Sequence, residues 1–176
     1  MWITMFTIAP CRYMFWTDWG EPSLVEKASM DGKGREVLHS VGINQPLGIT
    51  CDYGNQRVYW TDAAFDRIEY SSYDGSGRTV LVSGSDGVQI PFDLTIYGDL
   101  LYWTDWTANA IYGTHKIHGT DPLGNLTTIT VIYEDLPINP NGIEAISPSR
   151  QPAGIYIILC TRSYLYIHID PCSHNT

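Results

Sequence analysis

Three carboxylates are the first candidates for chemistry in this chain, because each closes the same four-residue string. Asp18 ends Phe15-Trp16-Thr17-Asp18, Asp62 ends Tyr59-Trp60-Thr61-Asp62 and Asp105 ends Tyr102-Trp103-Thr104-Asp105. Carboxylates share acid and base work when their environments push their pKa values apart. Three copies of one surrounding sequence offer no such difference, so these aspartates read as structural, each ending a strand and accepting backbone hydrogen bonds. His115-x-x-His118 has the spacing of a metal pair, but no third ligand stands at a recognised distance and no metal is expected. No phosphate-cradling Gly loop and no Gly-x-Ser-x-Gly elbow occurs. The expectation is a protein that is not an enzyme and takes no cofactor.

One processing motif stands out. Asn125-Leu126-Thr127 is an N-glycosylation sequon in a long loop. Four cysteines are too few for a disulfide scaffold. Cys51 lies in an apolar strand pattern and reads as a buried thiol, Cys11 as the same or as a strand-edge residue, and Cys160 and Cys172 could pair.

The elements that must position these residues repeat. The tryptophans lie 44 (16 to 60) and 43 (60 to 103) residues apart, the period of a repeat array. Asp31-Gly32-Lys33-Gly34-Arg35 follows the first string and Asp74-Gly75-Ser76-Gly77-Arg78 the second. Pro46-Leu47-Gly48-Ile49-Thr50 precedes the second and Pro91-Phe92-Asp93-Leu94-Thr95 the third. Between these turn signals stand short runs rich in Val, Ile, Tyr and Trp, four strands per repeat. In the second repeat they fall at 46–52, 57–62, 67–72 and 78–83. The first holds strands near 12–17, 24–30 and 35–40, and the third near 91–96, 100–105, 110–116 and 127–133. Residues 1–10 read as an inner strand rather than a signal peptide, and 140–146 as the inner strand of a fourth unit. The repeats run near 10–52, 53–96 and 97–146. Residues 153–170 alternate aromatic and aliphatic side chains and read as two more strands, either an odd outer pair or an aberrant insert, the latter preferred.

Composition agrees with a folded all-β chain, with 44% hydrophobic and 16% charged residues. The net charge of −9, from 10 basic and 19 acidic residues, makes nucleic acid an improbable partner. It suits a protein ligand with a basic patch. No apolar run is long enough to span a bilayer, so no direct membrane insertion by this segment is expected.

The repeated string and its flanks resemble the YWTD, or class B, repeats of the low-density-lipoprotein receptor family, over residues 1–152. The closing Pro171-Cys172-Ser173-His174-Asn175 resembles the start of an EGF-like module, truncated here at 171–176. The resemblance implies an all-β, six-bladed propeller of four-stranded antiparallel blades. A full ring at this period takes about 250–260 residues, so about three to four blades of an unclosed ring are expected. It further implies that Trp16, Trp60 and Trp103 pack between blades, Trp60 mattering more than Trp16, and that Asp18, Asp62 and Asp105 tie one blade to the next.

By the same resemblance the chain is a non-catalytic ligand-binding or spacer module in the extracellular part of an endocytic cell-surface receptor, beside EGF-like and propeller segments of its parent chain. The rivals are an adhesive propeller of an extracellular matrix protein and, less favoured, a propeller hydrolase. The candidate ligand face is the sheet end just after each repeated string: Trp19 and Glu21, Phe65 and Asp66, Trp106 and Asn109, joined by Asn44, Gln45 and Gln89. Aromatic anchors supply contact area there and acids select basic partners.

Overall fold

The computed structural model describes residues 3–8, 13–117, 129–136, 139–146, 155–160 and 164–169, of which 3–8, 146, 155–160 and 164–169 are described as backbone. The chain divides into two compact units, Met1–Asp93 and Leu94–Thr176.

The first unit holds two antiparallel meanders. Strands β1 (Ile3–Ile8), β2 (Tyr13–Asp18), β3 (Leu24–Ser29) and β4 (Glu36–His39) form one sheet in chain order. Strands β5 (Pro46–Asp52), β6 (Arg57–Asp62), β7 (Arg67–Ser72) and β8 (Thr79–Ser83) form the next. The strand expected in residues 1–10 is β1, paired with β2 from Ile3↔Asp18 to Ile8↔Tyr13. The outer strands β4 and β8 begin one residue later than expected, at Glu36 and Thr79.

Two patterns explain why these residues make sheets of this kind. Along β2 burial alternates, with Phe15 and Thr17 inward, as a strand with one covered face requires. Strands β5 and β6 are buried on both faces, so their sequences read as nearly continuous apolar and hydroxyl runs. The β3–β4 and β7–β8 turns use both glycines of Asp-Gly-x-Gly-Arg at positive φ, +77° and +64° at Gly32 and Gly34 and +84° and +66° at Gly75 and Gly77. The leading aspartate closes each turn by accepting a backbone N–H two residues on, from Lys33 at 3.1 Å and from Ser76 at 2.9 Å. A register shift then falls between Val25 and Glu26, and again between Ile68 and Glu69, aiming both glutamates at the arginine that ends the turn.

Phe15 and Val25 of the first sheet pack with Ile49, Cys51, Val58 and Trp60 of the second, with Leu38, Ile43 and Tyr73 at the margin. Cys51 is buried in this core, as its apolar strand pattern predicts.

In the second unit, β9 (Pro91–Tyr97, its first residues in the first unit), β10 (Leu100–Asp105), β11 (Ala110–His115) and β12 (Thr130–Tyr133) make a third four-stranded meander. It carries the same register shift, between Ile111 and Tyr112. The outer strand starts at Thr130 rather than 127. Tyr102, Ile111, Leu136 and Ile143 form its core. Strands β13 (Ala145–Ile146), β14 (Ile155–Cys160) and β15 (Tyr164–Ile169) pair antiparallel as a three-stranded sheet, so the two strands read in 153–170 are present and continue from the fourth inner strand. Asn125, the Asn125 sequon's loop, Cys11, Cys172 and residues 171–176 lie outside the described residues, as does His118.

Candidate ligand-binding face

Most of the twelve residues of the repeated strings are buried. Phe15, Tyr59 and Tyr102 are buried, as are Thr17, Thr61 and Thr104. Burial pushes the Tyr59 phenol up to about 12, which suits a neutral side chain whose ring lies 5.2 Å from Tyr70 at a tilt of 34°. Trp60 and Trp103 are fully buried, whereas Trp16 is half-buried. Trp60 of the second sheet lies against the first, its ring stacked 5.0 Å from His39 at 28°. Trp60 thus packs with Phe15, Val25 and His39 of the first sheet.

The tie between sheets divides between two residues. Asp62 accepts backbone N–H groups from Asn44 and Gln45, both at 3.0 Å, and so fixes the linker that enters its own sheet. The link forward belongs to the threonine. Thr17 Oγ1 donates to the Leu47 carbonyl on β5 at 2.6 Å. Thr61 Oγ1 accepts from Gly48 N–H at 2.9 Å and donates to the Phe92 carbonyl at 3.1 Å. Asp105 accepts from Thr107 and Ala108 in its own turn, at 3.0 and 3.1 Å.

Sequence reasoning missed an arginine–glutamate ion pair in each sheet of the first unit. Arg35 grips Glu26 with two hydrogen bonds of 2.9 Å, and Arg78 grips Glu69 at 2.7 and 2.9 Å. Both glutamates are buried. Each guanidinium also lies over a repeat tryptophan, Arg35 at 5.7 Å from Trp16 and Arg78 at 5.6 Å from Trp60. The available signal was a glutamate nine residues ahead of the arginine of each Asp-Gly-x-Gly-Arg turn.

Register places the candidate face. Pro46 pairs with Asp62, Asp62 with Arg67 and Arg67 with Ser83, so Asn44, Gln45, Phe65, Asp66 and Gln89 belong to loops at one end of the second sheet. The loop bearing Trp19 and Glu21 joins them, since Ser23 Oγ donates to the Asn44 carbonyl at 2.6 Å. Trp19 is 41% exposed and Phe65 45%, with Val41 and Ile90 also open to solvent. Glu21, Asp66 and Asp86 are exposed beside them. Arg67 is spent locally: its guanidinium covers the Phe65 ring at 4.7 Å and donates to the Gly42 carbonyl at 2.6 Å. Its Nε lies 2.9 Å from Glu69 Oε1, an ion pair in which the N–H is not aimed at the carboxylate.

Two of the nine candidates have local duties instead. Trp106 is half-buried, and its indole donates to the Pro140 carbonyl at 2.9 Å, holding the 139–146 segment over its sheet. Asn109 takes φ +48° in the turn and its carbonyl receives Leu136 N–H at 2.9 Å. Asp66 fills the equivalent turn position at φ +49°. Short polar side chains tolerate that left-handed backbone best, which accounts for the residue types there without a ligand. Trp106 and Asn109 belong to the second unit and the other seven to the first.

No group of three or more His, Cys, Asp or Glu able to hold a metal occurs among the described residues, and none of their helices is long and apolar enough to cross a membrane.

Residues 12–53 match the family model for the low-density lipoprotein receptor repeat class B. The vitellogenin receptor Yl of Drosophila melanogaster is 40% identical over 109 residues, 61% of this chain and 5% of that receptor. The low-density lipoprotein receptor-related protein 5-like protein of Homo sapiens is 30% identical over 132 residues, 72% of this chain and 52% of that protein. The chain thus spans about half the length of one curated relative and a small part of the other. A luciferin-regenerating enzyme shares the fold, with a TM-score of 0.63 at 14% identity over 89% of this chain and 54% of its own.

Proposed function

We propose that this chain, built of class B YWTD repeats, is a non-catalytic ligand-binding module in the extracellular part of a lipoprotein-receptor-like, endocytic cell-surface receptor. The observation that carries the reading is the pair of exposed aromatics, Trp19 and Phe65, set among Glu21, Asp66 and Asp86 at one end of the first unit. Aromatic side chains held on turns of a rigid sheet lose little entropy on binding and supply most of the contact area. The surrounding acids select a protein ligand with a basic patch and speed its encounter, an effect that weakens as salt screens it. EGF-like and further propeller segments of the parent chain are its expected neighbours.

Vitellogenin, the ligand named by the receptor relative, is the probe for the test. The full chain is immobilised and vitellogenin binding is measured for the native sequence, for Trp19→Ala with Phe65→Ala, and for Lys33→Glu in the turn at the opposite sheet end. Loss of two aromatic anchors is expected to weaken binding at least about tenfold, about 1.4 kcal/mol, while Lys33→Glu leaves it unchanged. Binding lost through Lys33→Glu and kept without the aromatics, in folded variants, refutes the assignment. No vitellogenin binding by the native chain refutes that ligand.

A further inference from the structure

At the opposite end of the first unit lies a groove of about 570 Å³ lined by both sheets. Its size falls within the roughly 300–1,000 Å³ of small-ligand sites. We propose that this groove binds a neutral saccharide.

The floor is aromatic. The Tyr13 ring lies 6.3 Å from Phe15, edge on, and the Tyr73 ring 4.9 Å from Phe15 on the other side. Lys27 spans the two sheets, donating from Nζ to the Tyr73 carbonyl at 2.8 Å and lying 5.6 Å from the centre of the Tyr13 ring. Glu36, 3.2 Å from that ammonium, neutralises it. The groove therefore presents no open cation, and an anionic ligand would meet Asp74 instead.

The rim is made of groups that exchange hydrogen bonds with hydroxyls. Asn55 spends its Nδ2 on Asp52 at 2.7 Å and keeps its carbonyl oxygen for a ligand. Asp74 spends Oδ1 on the Ser76 backbone and hydroxyl, at 2.9 and 2.6 Å, and keeps Oδ2. The Gln56 amide stands exposed at the rim and offers a donor and an acceptor, and the Ser72 hydroxyl can serve as either. Mixed donors and acceptors over two tyrosine rings suit a ligand with many hydroxyls and an apolar C–H face. That is the chemistry of a pyranose. A cation finds a single carboxylate there, and a purely apolar ligand would leave the amides unpaired.

The test is saturation-transfer NMR on the full chain with lactose, maltose, mannobiose and chitobiose. At least one is expected to bind in the millimolar range, about 4 kcal/mol. Gln56→Gly, which suits the local φ of +51°, and Tyr13→Leu are each expected to weaken that binding at least about tenfold, while Phe65→Ala at the far end does not. Transfer to none of the four sugars overturns the proposal, as does transfer that survives both groove substitutions. Transfer to an unstructured peptide but to no sugar also overturns it and makes the groove a peptide site.

Discussion

Trp16 and Trp60 occupy the same place in identical strings, yet the structure predicts opposite responses to Trp→Phe. Trp60 is fully buried among Phe15, Val25, Ile49, Cys51 and Val58, and its Nε1 has no hydrogen-bond partner. Trp60→Ala should cost about 3–5 kcal/mol, from lost burial and an unfilled cavity. Trp60→Phe keeps a ring against His39 and forfeits no hydrogen bond, so about 1–2 kcal/mol of cavity cost remains. Trp16 is half-buried, so Ala costs less there, but its Nε1 donates to the buried Glu26 carboxylate at 2.9 Å. A bond to a charged acceptor contributes about 1.5–3 kcal/mol, and Phe forfeits it as fully as Ala does. Phenylalanine should therefore recover most of the alanine loss at position 60 and little of it at position 16. Urea midpoints at constant m-value measure all four variants, with backbone amide exchange in the first unit assigning the transition to that unit. Equal recovery by phenylalanine at the two positions would refute the reasoning, and so would a Trp60→Ala cost below about 1 kcal/mol.

Three further outcomes follow from the same contacts. Thr61→Val removes the hydroxyl bonded to the Gly48 N–H and the Phe92 carbonyl and should cost about 1–3 kcal/mol, while Thr61→Ser, which keeps the hydroxyl, should cost well under half of that by urea unfolding. Burial and the neighbouring Arg78 hold the His39 imidazole below its ordinary 6.5, so the unfolded chain takes up the proton first. Stability should accordingly be full above about pH 6.5, fall as the pH drops through that value and level off below the folded pKa, a slope that His39→Gln removes from the urea midpoints. Gly113→Ala puts a Cβ 3.2 Å from both Ile132 Cδ1 and Tyr102 Cδ1 and should cost about 1–3 kcal/mol, read as faster amide exchange confined to the second unit.

The meander was legible because its signals are local. A string of β-formers, an Asp-Gly-x-Gly turn and a proline-led inner strand each specify a few residues of backbone, and together they place the strand edges to within a residue or two. The candidate site was legible in part. Trp19 and Phe65 are exposed because they lie on turns, a placement the strand pattern already contained. Trp106 was not separable from them, since its partner, the Pro140 carbonyl, is 34 residues away in the chain. The division of labour between Asp62 and Thr61 was hidden for the same reason: it depends on which backbone from the neighbouring strands comes within reach. Glu26 and Glu69 were passed over because charged residues in strands ordinarily face water, and a register shift turns these two inward.

Those two glutamates also explain why copies of one string are not chemically equivalent. Across the sheet Trp16 faces Glu26, Trp60 faces Glu69 and Trp103 faces Tyr112. Glu26 is gripped by Arg35 and still accepts the Trp16 indole at Oε2. Glu69 is gripped by Arg78 through both oxygens and has Arg67 beside one of them, and the Trp60 N–H makes no hydrogen bond. The third strands also open on different residues. Leucine stands there in the first sheet, Leu24 opposite Asp18, and arginine in the second, Arg67 opposite Asp62. Arg67 is also the residue that covers Phe65 and holds the Gly42 carbonyl at the end of the sheet proposed to meet a ligand. The indole of the third copy, Trp103, is likewise buried without a hydrogen-bond partner, and there alanine stands opposite the aspartate, Ala110 opposite Asp105.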